Sequence, residues 1–201
     1  MRKPLSDKPQ VVFETVDALR DWLAAKDENA DGIWAVTYKK AVPDKYISTG
    51  QIVDACLSYG WVDSLVRGLD AERTMLYICP RKTGSNWSRV NKDKVAKLTA
   101  EGLMTPAGQA VIDRSKADGS WTALDDVENL VIPADLQSAF DAYPGSLAQW
   151  EGFPRSVKRG ALEIVLNAKR PETRAAKIAQ IARDSAAGKR PFQWTGPKAK
   201  G

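Results

Sequence analysis

The sequence predicts an α+β protein: a small N-terminal mixed sheet with two helices, followed by a helical C-terminal half. Three observations carry that reading. Short β-branched and aromatic runs occur only up to Pro80. Beyond Pro80, apolar residues recur at helical spacing and are punctuated by glycine or proline. The 201 residues are 43% hydrophobic and 27% charged, which suits a chain that buries its own core without disulfide or metal staples.

The elements follow in order. Val11-Val12-Phe13 reads as a short strand, and a helix carrying Leu19, Trp22 and Leu23 on one face comes next. A polar turn over Asp27–Gly32 leads into a strand, Ile33–Tyr38, that runs out into Lys39-Lys40. Ser48 and Gln51 have capping-box spacing, so a helix starts there with Ile52, Ala55, Cys56 and Tyr59 on its buried side. Gly60 ends it. Trp61–Leu69 and Thr74–Cys79 read as a hairpin.

Val95 and Leu98 then mark a helix ended by Gly102, and Thr105-Pro106 opens another ended by Gly119. Residues 120–132 read mostly as loop. Pro133 opens a helix with Leu136, Ala139, Phe140 and Tyr143 on one side, broken at Pro144-Gly145. Pro154 and Pro171 open two more. Their apolar stripes are Val157, Ala161, Ile164, Val165 and Ala168 in the first, and Ala175, Ile178, Ile181 and Ala182 in the second. The chain therefore divides into an α+β region over 1–128, a helical domain over 129–188 and a flexible basic tail over 189–201.

Composition narrows the chemistry. There is no histidine, which removes the commonest metal ligand and the usual triad base, so no metal or cofactor is expected. Cys56 and Cys79 both lie in apolar segments and are expected to be buried thiols. No apolar run reaches the length of a signal-peptide core or a membrane span, so a cytoplasmic protein is expected. The net charge of +5 is uneven: residues 1–152 hold 18 basic and 22 acidic side chains, and residues 153–201 hold 12 basic and 3 acidic. The resulting −4 and +9 favour an anionic partner for the C-terminal end, or simply a solvated basic face.

The segment least like ordinary packing is Pro80-Arg81-Lys82-Thr83-Gly84-Ser85-Asn86-Trp87-Ser88-Arg89-Val90-Asn91. It joins a strand to a helix and offers cations, hydroxyls, a glycine and a helix N-terminus, a combination that suits an anion. The packing alternative is that Ser88 or Asn91 caps the helix and Trp87 lies beneath the loop. The candidate ligand-binding residues are Trp61, Asp63, Ser64, Arg81, Lys82, Ser85, Trp87, Ser88 and Asn91. No catalytic residue is assigned, because Ser64 beside Asp63 has no histidine to serve as base. Lys39 and Lys40 either face the same cleft as Arg81 or are solvated at a strand end. Arg170, Arg174 and Lys177 form a basic stripe that suits phosphates as well as any solvated helix face.

The segments Gly60–Ser64, Pro80–Lys82 with Ser85, Trp87-Ser88 and Asn91, Gly102–Met104 with Pro106–Gly108, and Asp118–Trp121 occur in an order that resembles the YdeI/OmpD-associated (bacteriocin-protection) family. Ala168-Lys169-Arg170-Pro171-Glu172-Thr173-Arg174 is similar to that family's Ala-Lys-x-x-Glu-Thr-Arg signature, and the likeness runs over about residues 10–188. It makes the 129–188 segment an OmdA-like domain. The resemblance implies a role in protection against bacteriocins or antimicrobial peptides, with association to an outer-membrane porin and a periplasmic setting. It carries no catalytic residues. The leading expectation is a stress-protection protein that binds an anionic small molecule or an acidic partner. The alternatives are an enzyme acting on a phosphate-bearing or other anionic small molecule, and a nucleic-acid-binding protein.

Overall fold

The computed structural model describes residues 4–193. The chain forms two compact units, Met1–Ala123 and Leu124–Gly201.

The first unit is built on a mixed sheet of β1 (Gln10–Val12), β2 (Ile33–Tyr38), β3 (Trp61–Gly68) and β4 (Arg73–Pro80), in the order β1-β2-β4-β3. β1 runs parallel to β2, and the β2–β4 and β3–β4 pairs are antiparallel. β2 lies inside the sheet and is buried from Ile33 to Thr37, as its unbroken apolar run requires. One sheet face, with Ile33, Ala35, Leu76 and Ile78, packs on α1 (Val16–Ala24) and α2 (Thr49–Ser58) through Leu19, Leu23, Ile52, Ala55 and Cys56. On the other face Trp34 meets Tyr77 edge-on at 5.5 Å, and its Nε1 donates to the Leu5 carbonyl at 2.8 Å.

Local signals place the elements. The Ser48–Gln51 capping box is formed, with Gln51 N donating to Ser48 Oγ and Ser48 N to Gln51 Oε1. Gly60 takes φ +75°, and a Cβ there would stand 2.7 Å from Val111 Cγ2. That glycine lets α4 (Pro106–Ala117) lie against the end of α2. Thr105 caps α4 and donates from its Oγ1 to Ser58 O at 2.6 Å. With α3 (Arg89–Ala100), these helices enclose a second core of Leu57, Trp87, Val95, Leu98, Val111 and Ile112.

The second unit is helical: α5 (Asp125–Glu128), α6 (Ala134–Asp141), α7 (Ser146–Glu151), α8 (Arg155–Leu166) and α9 (Pro171–Ala186). Its core joins Leu136, Phe140, Trp150, Ala161, Leu162, Val165, Ile178, Ile181 and Ala182. Two of the helices depart from the sequence reading. α5 lies inside the stretch expected as loop, and α7 starts directly after the break at Pro144-Gly145; both are too short to show a period. The stripes also turn. Leu162 is buried where Ile164 was expected and Ile164 is exposed, because the core lies toward 161, 162 and 165. Ala175 is exposed, while Ser185 is fully buried. Of the expected tail, residues 189–193 are described: Pro191 is buried and Phe192 packs on the core. Residues 194–201 lie outside the described residues.

Charges tie this unit together. Arg174 makes a fork with Asp135, Nε to Oδ2 at 2.7 Å and Nη2 to Oδ1 at 3.0 Å, and donates from Nη1 to Val165 O at 3.1 Å. The start of α9 is thereby held to the first turn of α6 and the end of α8. Glu128, nearly buried, accepts from Arg159 Nε at 3.0 Å, and Arg159 also reaches Glu163 at 2.9 Å. The hydrogen bonds from Arg174 hold the Asp135 carboxyl below its usual range. The stabilisation from this depressed carboxyl is fully present above the ordinary carboxylate range and disappears as the pH falls through its lower folded value. Asp135 is 46% exposed, so solvent screening keeps the pair's worth small. Arg174→Ala should lower the stability of this unit by about 1 kcal/mol in urea unfolding at neutral pH. The gap between wild type and Asp135→Asn should close below roughly pH 4.

Candidate functional site

Arg81 is the last residue tied to the sheet end, its N–H donating to Gly60 O at 3.0 Å just past β4. Its side chain turns inward. The guanidinium carbon sits 3.7 Å from the centre of the Trp87 ring, and Nη1 donates to Asn86 O at 3.1 Å. Only 5% of the residue is exposed, and neither Arg81 Nε nor Trp87 Nε1 has a hydrogen-bond partner. Burial brings its pKa down to about 10, against the opposing pull of Asp63 and then Cys79. Arg81 therefore stays cationic at neutral pH. No carboxylate lies within ion-pair distance of it among the described residues.

The loop that follows is held from outside. Trp87 stacks at a tilt on Trp121, with ring centres 4.9 Å apart, and Lys92 and Lys116 lie over Trp121 at 5.7 and 5.4 Å. Asp118 accepts from Ser120 N at 2.9 Å and Gly84 N at 3.0 Å. The hydrogen bonds from Ser120, with the weaker one from Gly84, hold its carboxyl below the usual range. Ser88 Oγ accepts from Asn91 N at 3.3 Å and caps α3.

Beside Arg81 opens a cavity of about 750 Å³. Its walls come from the N-terminal segment (Leu5, Lys8), the turn Glu28–Gly32, the end of β4 from Tyr77, and Arg114 of α4. Four cations line it, Lys8, Arg81, Lys82 and Arg114, against two carboxylates. The carboxylates are occupied: Lys8 meets Asp31 at 2.7 Å and Arg114 meets Glu28 at 2.9 Å. Arg81 on the floor has no carboxylate at ion-pair distance, only the more distant pull of Asp63, and Lys82 is exposed. The volume falls within the range typical of small-molecule sites.

Of the nine candidates, Arg81 and Lys82 line this cavity, and the rest are elsewhere. Trp61 is buried in the core between sheet and helices. Asp63 is half-buried on β3 opposite Ile78, and Ser64 is exposed where the β3–β4 register shifts. Ser85 N closes a turn on Lys82 O at 3.1 Å. Trp87 packs beneath the loop, and Ser88 and Asn91 form the cap. Lys39 and Lys40 do not face Arg81. They line a separate cavity of about 280 Å³, and Lys39 Nζ donates to Asp70 O at 2.6 Å. Arg174 of the expected basic stripe is the clamp on Asp135, and Lys177 lies over Phe192 at 5.0 Å.

Cys79 was expected to be buried; it is partly exposed in the cavity, because the strand face it occupies is covered only in part. Tyr77, Cys79 and Arg81 stand at alternate positions, a period that reading β4 as one face would have revealed. Lys8, Asp31, Glu28 and Arg114 meet only through folding and leave no local signal.

Residues 129–188 match the family described as Bacteriocin-protection, YdeI or OmpD-Associated. Residues 11–111, half of the chain, match a Domain of unknown function (DUF8412). The chain belongs to the family of that domain of unknown function, and its helical segment is similar to the YdeI/OmpD-associated family. No curated protein and no solved structure matches it. The likeness read across residues 10–188 thus divides: the helical unit carries the YdeI/OmpD-associated segment, and the cavity lies in and around the domain of unknown function. Among the described residues no group of three or more His, Cys, Asp or Glu is placed to hold a metal, and no helix is long and apolar enough to cross a membrane.

The geometry separates the two adjacent cations. Arg81→Ala removes a desolvated cation–π stack and a carbonyl hydrogen bond, and should cost on the order of 2 kcal/mol of stability. Lys82→Ala, at an exposed position, should change stability by less than about 0.5 kcal/mol. Urea unfolding of the two variants side by side checks the difference.

Proposed function

We propose that this protein binds an anionic small molecule in the Arg81 cavity, and that this binding serves stress protection against bacteriocins or antimicrobial peptides. One observation carries the reading: a buried guanidinium, without a carboxylate partner, on the floor of a cavity whose own carboxylates are already paired. A buried charge is costly unless something compensates it. A ligand anion would supply that compensation, and Lys82 at the rim would add a second contact. The low dielectric of the floor would strengthen the interaction with Arg81 relative to a surface contact. The protective role is the YdeI/OmpD-associated family's description, and binding is the part this site can perform. A cytoplasmic setting belongs to the same proposal.

The direct test is calorimetric titration with inorganic phosphate and then simple phosphate monoesters, at low and moderate salt. Binding should be saturable, one ligand per chain, and weaker at higher salt. A charge-assisted contact of about 1.5–3 kcal/mol means that Lys82→Ala should weaken affinity roughly tenfold or more while leaving stability intact. No heat with any of these anions at low salt, or an affinity indifferent to Lys82, would refute the reading.

A further inference from the structure

The cavity holds one group that anion binding does not use. Cys79 lines it, flanked along the same strand by Tyr77 and Arg81. Gly32 faces Cys79 from β2's entry turn: a Cβ at Gly32 would stand 2.7 Å from Cys79 Cβ and 2.3 Å from Tyr77 Oη. Only a glycine fits there, and its backbone packs on the Cys79 Cβ while Cys79 as a whole stays partly exposed in the cavity. Cys56 is different. It is completely buried, and desolvation pushes its thiol far above the ordinary range. Arg81 lies near enough to Cys79 for the two to interact electrostatically. A neighbouring cation favours the thiolate, which is the nucleophilic form of cysteine.

We infer that Cys79 is a thiol-exchange site for anionic low-molecular-weight disulfides, drawn to it by the positive floor and rim formed by Arg81 and Lys82. The inference rests on the anion-binding reading of the cavity and adds a covalent step to it. Cys79 first gives its proton to solvent. Its thiolate sulfur then attacks one sulfur of the incoming disulfide; the Cys79–S bond forms as the ligand's S–S bond breaks, and the other half leaves as a thiolate. The disulfide is the oxidant: Cys79 is oxidised to a mixed disulfide and the departing half is reduced. A cavity of about 750 Å³ has room for a bound half of drug-like size.

The test uses two reagents on the native full-length chain. One is dithiobis(nitrobenzoate), a dianion; the other is dithiodipyridine, which is neutral. Release of the leaving thiolate gives the rate, and peptide mapping by mass spectrometry gives the site. Cys79 should carry the label with either reagent, and Cys56 should not. Cys79→Ser should abolish labelling, and Cys56→Ser should preserve it. Lys82→Ala should slow the dianion roughly tenfold, in line with electrostatic focusing in a charged cleft, and leave the neutral reagent's rate unchanged. Saturating phosphate should protect against the dianion. If phosphate binds with the expected dependence on Lys82 but native Cys79 stays unlabelled, the exchange site is refuted and the anion site stands. If Cys79 labels readily, phosphate does not bind and Lys82→Ala slows neither reagent, the anion reading fails and takes the claimed preference for anionic disulfides with it.

Discussion

The placement of the Arg81 guanidinium on the face of Trp87 fixes the geometry around it. β4 ends at Pro80, but the ladder continues one step further through Arg81 N and Gly60 O, so the arginine backbone belongs to the sheet. Its side chain belongs to the helical layer, since Trp87 is part of the core of α2, α3 and α4. One residue thus ties the sheet to the loop that opens α3. Burying a guanidinium against an aromatic face recovers part of the lost hydration through cation–π attraction, and the Asn86 carbonyl recovers a little more. Asp63 offsets some of the rest, and burial still outweighs it, holding the pKa down to about 10. A fold optimised for stability alone would place an apolar residue here. The cavity next to the charge supplies a reason to keep it.

The family-like segments take on a structural meaning from this. The stretch from Pro80 to Asn91 and the stretch from Asp118 to Trp121 meet each other: Asp118 accepts from Gly84 N, and Trp121 stacks on Trp87. The two segments form one latch, closed by the Asp118 carboxylate and the two indole rings. Ser88 and Asn91 are a helix cap, and Ser120 helps hold Asp118. The same holds in the helical unit, where the final arginine of Ala168–Arg174 is the clamp on Asp135. The +9 of residues 153–201 is accordingly not a uniform free surface. Arg159 is shared between Glu128 and Glu163, and Arg174 belongs to Asp135.

Much of the fold was legible because its signals are local. The Ser48–Gln51 box, the Thr105 cap before Pro106, and the apolar period of α2 each act within one or two helical turns. β2 announced itself by an uninterrupted β-branched and aromatic run. The failures share a physical cause. α5 and α7 are shorter than the window that a helical period needs. Ile164 and Leu162 both lie near the edge of an apolar face, and only the neighbouring helices decide which one is covered. Half of the cavity was visible as Arg81-Lys82 after a strand. The other half, Lys8 with Asp31 and Arg114 with Glu28, joins residues far apart in the chain. Arg174 was misread for the same reason, because its partner lies 39 residues away.

The cavity's two halves also differ in rigidity, and the difference bears on what each contributes. The floor is fixed by the sheet ladder, the Trp87 stack and the latch, so the charge of Arg81 is held in place before any ligand arrives; such preorganisation lowers the ordering cost of binding. The rim is held by ion pairs whose carboxylates face solvent, with Asp31 at 76% and Glu28 at 65% exposure. Pairs of that kind contribute little and are screened by salt. Arg114, itself partly exposed, can therefore be drawn from Glu28 toward a stronger anion at small cost, whereas the Lys8 side chain, only 7% exposed, and Arg81 are set in place. On the proposed reading the floor would set the sign of a ligand, and the rim, assembled from separate segments of the chain, would set how much of it is covered.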